Sequence, residues 1–194
     1  MYKRCTTERA AQQQRRIEEC LLNEMCKRNY QDITVSALCE QAALSRKTFY
    51  RLFGGKEDVL QALIDHTLMD YAKFRLAPEQ IHPNAPAELQ RFFCYWIANK
   101  PLLDALTASR QGTQLLEQAI AHVFYEDHSA LRWLGAERGG YTLEATVFYI
   151  SAIMGLLLNW HHSGFSRSAV EMSNILLQLM SVPPISDPNA LNLI

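Results

Sequence analysis

Apolar residues recur every three or four positions along most of this 194-residue chain, the spacing that places them on one face of an α-helix. In the first such segment, predicted from about Thr7 to Arg28, the apolar stripe consists of Ile17, Cys20, Leu21 and Met25. No stretch alternates convincingly between apolar and polar residues, as a half-buried strand would. The pattern therefore predicts an all-α protein.

Two short helical patterns follow, and neither is long enough to be stable alone. The first runs from Val35 to Ala42, and Thr34 is placed to accept the free N–H groups of its first turn. The second begins after Ser45, another good N-cap. Its apolar side consists of Phe49, Leu52 and Phe53. The two helices are therefore predicted to pack on each other and on the first helix.

The outward side of the second short helix is basic, aromatic and rich in hydrogen-bonding groups. It consists of Arg46, Lys47, Thr48, Tyr50 and Arg51. A helix-turn-helix needs such a face, because its second helix enters a major groove about 12 Å wide and offers donors to base edges and phosphates. The alternative is an ordinary solvated helix surface, since many surface helices carry three basic residues.

A long helix is predicted to start at Lys56, after Gly54 and Gly55, and to continue to about Leu76. At 1.5 Å per residue it spans roughly 30 Å, long enough to belong to two domains. Residues 77–88 contain three prolines and predict a loop. Further helices are predicted over 87–98, 101–109, 113–134, 142–162 and 168–181. This divides the chain into 1–55, a connecting helix 56–76, and 77–194.

The residues S-x-x-T-F-Y-x-x-F-x-x-K-E-D, from Ser45 to Asp58, closely resemble the signature of the TetR family of transcriptional regulators. The resemblance covers roughly residues 9–65. It implies an N-terminal three-helix helix-turn-helix domain, joined through the long fourth helix to a C-terminal helical ligand-binding and dimerisation domain. It also implies a sequence-specific DNA-binding regulator, most often a repressor released from its operator by a small molecule. A TetR-like activator, or a protein-partner adaptor with weak or incidental DNA binding, remains the alternative.

The resemblance also implies which residues meet double-stranded DNA. The expected phosphate contacts are Thr34, Ser45, Thr48, Tyr50 and Lys56. Arg46 and Lys47 should face bases, with Thr48 and Tyr50 sharing that task. Arg46 is the best candidate for a bidentate guanine contact.

Two positions depart from the family pattern, which has glycine where the first helix ends and glycine in the helix-turn-helix turn. This chain has Asn29 and Ala43 there. Asparagine tolerates the left-handed conformation, so Asn29 is expected to be harmless. Ala43 is expected to cost on the order of 1 kcal/mol if its turn requires a positive φ.

The charge of the chain is divided unevenly, although the net charge is only -1. Residues 1–56 hold 11 Lys/Arg against 6 Asp/Glu, whereas residues 57–194 hold 8 against 14. A basic N-terminal segment on an acidic remainder is typical of a DNA-reading domain on a body that stays off DNA. The longest apolar run, 147–158, is shorter than a membrane span, so no membrane association and a cytoplasmic location are expected.

One line along the helix predicted over 142–162 is rich in small residues, which permit close helix–helix approach. It consists of Phe148, Ala152, Gly155 and Asn159, and the last helix adds Leu176, Leu177 and Met180. From the pattern alone, burial within one protomer is equally plausible. The TetR resemblance implies a homodimer formed through the last two helices, and such a dimer would read a pseudo-palindromic operator.

The C-terminal part is richer in aromatic residues than a core strictly requires, and the resemblance implies an effector pocket among its helices. Trp96, His122 and Tyr125 are the candidate contacts, because each combines an apolar body with a polar group. Taken singly, each is better explained as a core residue than as a ligand contact. The identity of the effector is open.

No enzymatic motif is visible: the chain has neither a glycine-rich phosphate loop nor a nucleophile motif, so no catalytic residues are predicted. Its five cysteines include no C-x-x-C pair, and no paired histidines stand at zinc spacing, so neither a metal site nor a cofactor is expected. Cys20, Cys26 and Cys39 are interpreted as small core residues. A redox switch at Cys5 or Cys94 is the minority hypothesis.

Overall fold

The protein is described by a computed structural model covering residues 7–75, 85–126 and 142–181. Within these ranges the regular structure is helical throughout, as predicted. The helices are α1 (Glu8–Met25), α2 (Val35–Gln41), α3 (Arg46–Leu52), α4 (Lys56–Arg75), α5 (Ala85–Ala98), α6 (Lys100–Ala108), α7 (Gly112–Tyr125), α8 (Thr142–His162) and α9 (Ala169–Ser181). Of the loop predicted over 77–88, residues 77–84 lie outside the described residues, whereas residues 85–88 belong to α5. The end of the helix predicted over 113–134 also lies outside the described residues.

Side-chain caps begin the N-terminal helices where the sequence places them. Thr34 Oγ1 accepts from the Ala37 N–H at 3.2 Å, and Ser45 Oγ accepts from the Thr48 N–H at 3.1 Å. Each cap satisfies one N–H that the first helical turn leaves without a partner. The starts of α2 and α3 are thereby fixed.

Residues from all three N-terminal helices and the start of α4 form one buried core. Ile17 and Leu21 come from α1, Leu38 from α2, Phe49 from α3 and Leu60 from α4, and each is at most 1% exposed. The three-helix domain is thus held together by the apolar positions that the periodicity identified.

The turn between α2 and α3 places Ala43 at φ 48°. An L-residue with a Cβ is disfavoured there, so the cost expected from the absence of glycine applies. Asn29 differs from expectation: it lies in extended backbone at φ -59° and ψ 137°. The helix α1 ends at Met25, before Asn29 is reached. The residue after its end, Cys26, has φ -71°, so this helix end needs no left-handed residue.

Two polar contacts join α4 to α1 in addition to their apolar contact. The imidazole Nδ1 of His66 lies 2.9 Å from the carboxylate of Glu18, which is 1% exposed. Further along, the Arg15 guanidinium donates to Asp70 at 2.9 Å. These contacts tie the middle of the connecting helix to the three-helix domain.

The C-terminal helices surround the far half of α4. The helix α4 packs on α5 and α7, α7 packs on α8, and α5 packs on α9. Tyr95 on α5 donates to the Thr67 carbonyl of α4 at 2.7 Å, and burial raises the pKa of this phenol to about 12. The helix α4 therefore contacts both the N-terminal helix α1 and the C-terminal helices α5 and α7.

A reciprocal capping box begins α9. Glu171 Oε2 accepts from the Ser168 N–H at 2.8 Å, while Ser168 Oγ accepts from the Glu171 N–H at 3.2 Å. The first of these bonds lowers the pKa of Glu171. At the end of α8, His161 Nε2 lies 2.7 Å from Asp104 Oδ1 and so links α8 to α6.

One sequence-based interpretation needs correction. Cys26 is exposed rather than a core residue, and its thiol lies 3.8 Å from the Pro101 carbonyl.

The segment Leu143–His162, with a mean hydropathy of 1.4, is long and apolar enough to cross a membrane by length and composition alone, a test that the core helix of a soluble protein also passes. Several of its large apolar residues, among them Leu157 and Trp160, are buried in the domain core.

Candidate DNA interface and effector cavity

The outward face of α3 is open to solvent and basic. Arg46, Lys47, Tyr50 and Arg51 are exposed, with Tyr50 59% exposed, while Phe49 on the opposite side is completely buried. The Tyr50 ring meets the edge of the Phe49 ring with centroids 5.4 Å apart, which orients the phenol outward. Buried anchoring on one side and exposed donors on the other is the arrangement that a groove-reading helix requires.

The polar groups on this face are ordered by contacts within the domain. Arg46 donates to Ser36 Oγ on α2 at 2.6 Å, and the hydroxyls of Ser45 and Thr48 lie 3.0 Å apart. Thr34 is exposed at the start of α2. The predicted contact residues of α2 and α3 therefore lie on one surface.

A polar concavity extends this surface onto the start of α1. Its lining consists of Thr7, Arg9, Ala10, Gln13, Thr48 and Arg51. Arg51 donates to Gln13 Oε1 at 3.2 Å, so the two helices are joined across it. The sequence analysis did not single out Thr7, Arg9 or Gln13. The available signal for a DNA contact on α1 was Arg9, a basic residue among polar neighbours.

Lys56 does not project freely from α4, which corrects the phosphate contact expected of it. Its ammonium donates to the carbonyl oxygens of Tyr30, Gln31 and Ile33 at 2.8, 3.0 and 3.0 Å. An ammonium group has three N–H donors, so these bonds use all of them. Lys56 instead fixes the segment that leads from α1 into α2.

The start of α4 is capped by Asp58. Its Oδ2 accepts from the Gly54 N–H at 2.9 Å, and this bond lowers the pKa of the carboxyl. A carboxylate here also complements the positive end of the helix. The turn after α3 and the start of the connecting helix are therefore one rigid unit.

A mainly apolar cavity of about 70 Å³ lies between α4, α5, α7 and α8. Its walls consist of Leu68, Tyr71, Arg75, Glu88, Leu89, Phe92, Trp96, Ala119, His122, Val123, Ile150, Ile153 and Met154. Trp96 and His122, both singled out from the sequence, line it. Tyr125 does not, and the structure corrects that expectation: it stands 73% exposed at the end of α7.

Polar groups are few in this cavity, and several have no hydrogen-bond partner among the described residues. Such atoms include Trp96 Nε1, both ring nitrogens of His122, and Glu88 Oε2. Glu88 Oε1 accepts from Arg91 at 3.0 Å. An apolar volume with a few inward polar atoms is the general form of a small-molecule site.

A second apolar surface lies on the outer side of α8 and α9. Phe148 is 60% exposed and Leu179 is 61% exposed, and Ala152, Gly155 and Asn159 are exposed between them. Of the predicted interface residues, Leu177 is half-buried and Met180 is exposed. Leu176 is 2% exposed and belongs to the protomer's own core, which corrects its assignment to an interface.

Comparison with known proteins supports the family resemblance. The sequence model described as bacterial regulatory proteins, tetR family, matches residues 22–63. A search of curated proteins found no significant match.

Solved structures share the fold over most of the chain. A protein described as a TetR-family transcriptional regulator from Syntrophomonas wolfei aligns with a TM-score of 0.64 and 14% identity, over 90% of this chain and 97% of that one. The fatty acid degradation regulator FadR from Bacillus halodurans gives 0.61 and 18%, over 92% and 96%. A TetR-family transcriptional regulator from Streptomyces coelicolor gives 0.58 and 20%, over 86% and 80%. The chain therefore carries the sequence pattern of the tetR family at residues 22–63, and its described helices share the fold of these solved structures.

Proposed function

We propose that the protein is a homodimeric, sequence-specific transcriptional repressor that a small-molecule effector releases from its operator. The observation that carries the proposal is the exposed basic face of α3, held in place by the buried Phe49. Since its target is bacterial DNA, the protein acts in the cytoplasm. We assign it no enzymatic activity.

Each exposed residue of the face has a proposed role. Arg46 and Lys47 meet base edges, and Arg46 has the forked donors that match guanine O6 and N7. Tyr50 and Thr48 share base and phosphate contacts, whereas Thr34 and Ser45 hold phosphates near the helix starts. Arg9 and Arg51, around the polar concavity, extend the phosphate contacts onto α1.

The dimer forms through the outer side of α8 and α9. Gly155 supports this proposal, because a Cβ built there meets no atom of the other described residues within 4 Å, apart from its chain neighbours and the adjacent backbone of α8. The surface around it has room for a helix from a second copy to approach closely. Exposed Phe148 and Leu179 would leave water on association, and that burial is the driving force. A two-fold dimer then presents two α3 helices about 34 to 36 Å apart.

Effector release follows from the position of α4. Leu68 and Tyr71 line the cavity, while His66 and Asp70 of the same helix contact α1. A ligand too large for this cavity displaces α4 from α5, α7 or α8 as it enters. That displacement passes through the α1 contacts to the three-helix domain and changes the spacing of the two α3 helices.

The experiment measures binding of the purified protein to a mixed-sequence DNA duplex by fluorescence anisotropy at several salt concentrations. Lys47→Ala should weaken binding and reduce the slope of log K against log salt by about one, because one cation no longer displaces a counterion. Lys73→Ala is the matched control, since Lys73 is an exposed lysine in the last turn of α4. Equal slopes for wild type and both variants would contradict the assignment of α3 to DNA and favour a protein-partner adaptor.

A further inference from the structure

Three potential metal ligands converge where α4 meets α7. Asp65 lies on α4, while His122 and Glu126 lie one turn apart at the end of α7. One ligand atom from each, an imidazole nitrogen or a carboxylate oxygen, lies within 4.8 Å of the other two. The fold thus brings together residues 57 positions apart in the sequence.

His122 is the unusual member of this cluster. It is 9% exposed, and neither ring nitrogen has a hydrogen-bond partner among the described residues. The Oε2 of Glu126 lies 3.6 Å from Nδ1, too far for a hydrogen bond. A buried polar atom without a partner destabilises the folded state, because it has lost its hydrogen bonds to water. Such an imidazole beside two carboxylates points to a ligand that supplies the missing bond.

We propose that Asp65, His122 and Glu126 bind one divalent first-row transition metal ion, such as Zn²⁺. Imidazole nitrogen suits zinc, cobalt, nickel and iron, whereas magnesium and calcium prefer oxygen alone. Two carboxylates balance the double positive charge of the ion, so a neutral imidazole as third ligand leaves the complex uncharged. Water occupies the remaining coordination positions, as at zinc sites with three protein ligands.

Binding requires at most a small contraction of the cluster. Bonds of about 2.0 to 2.2 Å to one ion hold any two ligand atoms no more than about 4.4 Å apart. The ligand atoms of this cluster lie within 4.8 Å of one another, which is already close to that separation. Glu126 is exposed at the helix end and has room to move. Each carboxylate also has another interaction, with which the metal competes. The net effect is to draw α4 and α7 together beside the cavity that His122 lines.

This cluster does not follow the spacing of paired cysteines or histidines that marks a zinc site in a sequence. It uses one histidine, a carboxylate four residues later and a third ligand from another helix. The cluster is also connected to the proposed DNA switch, because Asp65 lies on α4. The metal site itself is independent of that proposal, because its test contains no DNA.

The test is a Co²⁺ titration of chelator-treated protein, followed by visible absorption, with Zn²⁺ added afterwards as a competitor. Wild type should bind one Co²⁺ per protomer, show weak visible d–d bands, and lose them when Zn²⁺ is added. His122→Asn and Glu126→Gln should each weaken binding roughly tenfold or more. The matched controls are His162→Asn and Glu117→Gln, which change exposed residues of the same types. Both controls should bind as wild type does.

Three results would overturn the proposal: no saturable Co²⁺ binding, unchanged binding in the Glu126→Gln variant, or an intense near-ultraviolet thiolate band that indicates binding at cysteine. If His122→Asn fails to fold, Glu126→Gln still tests the proposal, because Glu126 is exposed and its side chain can change without disturbing the core. Circular dichroism of every variant checks that the helices are intact.

Discussion

The ammonium of Lys56 lies 2.8 Å from the carbonyl oxygen of Tyr30, with which it forms a hydrogen bond. The same group lies 4.6 Å from the centroid of the Tyr30 ring, so the lysine meets both the backbone and the aromatic face of this residue. Tyr30 is itself buried, and burial raises the pKa of its phenol. One lysine at the start of the connecting helix thereby holds the segment before α2.

Replacing Lys56 should lower the stability of the protein more than it changes the salt dependence of DNA binding. We predict that Lys56→Met lowers the free energy of unfolding by about 2 kcal/mol, since three charge-assisted hydrogen bonds are lost and water replaces them only in part. DNA binding should weaken because α2 and α3 are less firmly placed. The salt slope of binding should stay within error of wild type, because the ammonium is already committed to carbonyl oxygens.

Denaturant titration and salt-dependent anisotropy measure the two effects in Lys56→Met. Lys47→Ala provides the comparison, since it should reduce the salt slope with little change in stability. A Lys56→Met protein with normal stability and a reduced slope would return Lys56 to the phosphate role suggested by the family resemblance.

The turn between α2 and α3 offers a test of backbone strain. Ala43 has φ 48°, so Ala43→Gly should stabilise the protein by about 1 kcal/mol, because glycine adopts this conformation without a steric penalty. Ala42→Gly is the matched control: Ala42 has φ -73° and is completely buried. It should destabilise the protein by a similar amount. Thermal unfolding of both variants checks the pair, and a loss of stability in Ala43→Gly would show that the turn is not strained.

The carboxylate of Glu24 predicts a dependence of stability on pH. A hydrogen bond from Gln41 on α2 lowers its pKa, and the positive charge of Arg28 contributes in the same direction. Because the folded pKa lies below the unfolded one, the carboxylate stabilises the protein at pH above the ordinary glutamate value of about 4.3. That contribution disappears as the pH falls through the folded pKa.

The measurement is the melting temperature of wild type and Glu24→Gln between pH 7 and the acid limit of folding. We expect wild type to melt higher at pH 7 and the difference to shrink as the pH falls. Glu19→Gln, a change at an exposed glutamate of the same helix, should alter the melting temperature little at pH 7. If the difference in melting temperature between wild type and Glu24→Gln grew in acid, the predicted direction of the pH dependence would be wrong.

A substitution at Gly155 tests the proposed dimer without disturbing the fold of one protomer. Gly155→Arg places its Cβ in open space, since no atom of the described residues beyond the adjacent part of α8 lies within 4 Å of it. It should nevertheless block close approach of a second α8 and yield monomers in sedimentation velocity. Ala121→Arg, at an exposed position of α7, is the control and should remain dimeric. If Gly155→Arg sedimented as wild type does, the interface would lie elsewhere.

Most helices could be predicted from the sequence, because periodic apolar positions and N-caps are local signals. Thr34, Ser45 and Ser168 mark helix starts in both the sequence and the structure. The outward direction of Lys47 and Tyr50 followed from the same periodicity.

Other features depend on contacts between distant segments, which periodicity does not report. Lys56 faces carbonyl groups about 25 residues earlier, Leu176 turns into the protomer's core, and Tyr125 falls beyond the cavity. In the same way, Asp65 meets His122 only because α4 packs on α7. Such pairings require the tertiary fold.

The most direct test of the central claim is selection of bound sequences from a random DNA pool by the purified wild-type protein at near-physiological salt. Our account predicts enrichment of a pseudo-palindrome whose half-sites lie about one helical turn apart, because two α3 helices of a dimer read successive major grooves. Recovery of a pool with no enriched sequence would contradict a sequence-specific dimeric reader.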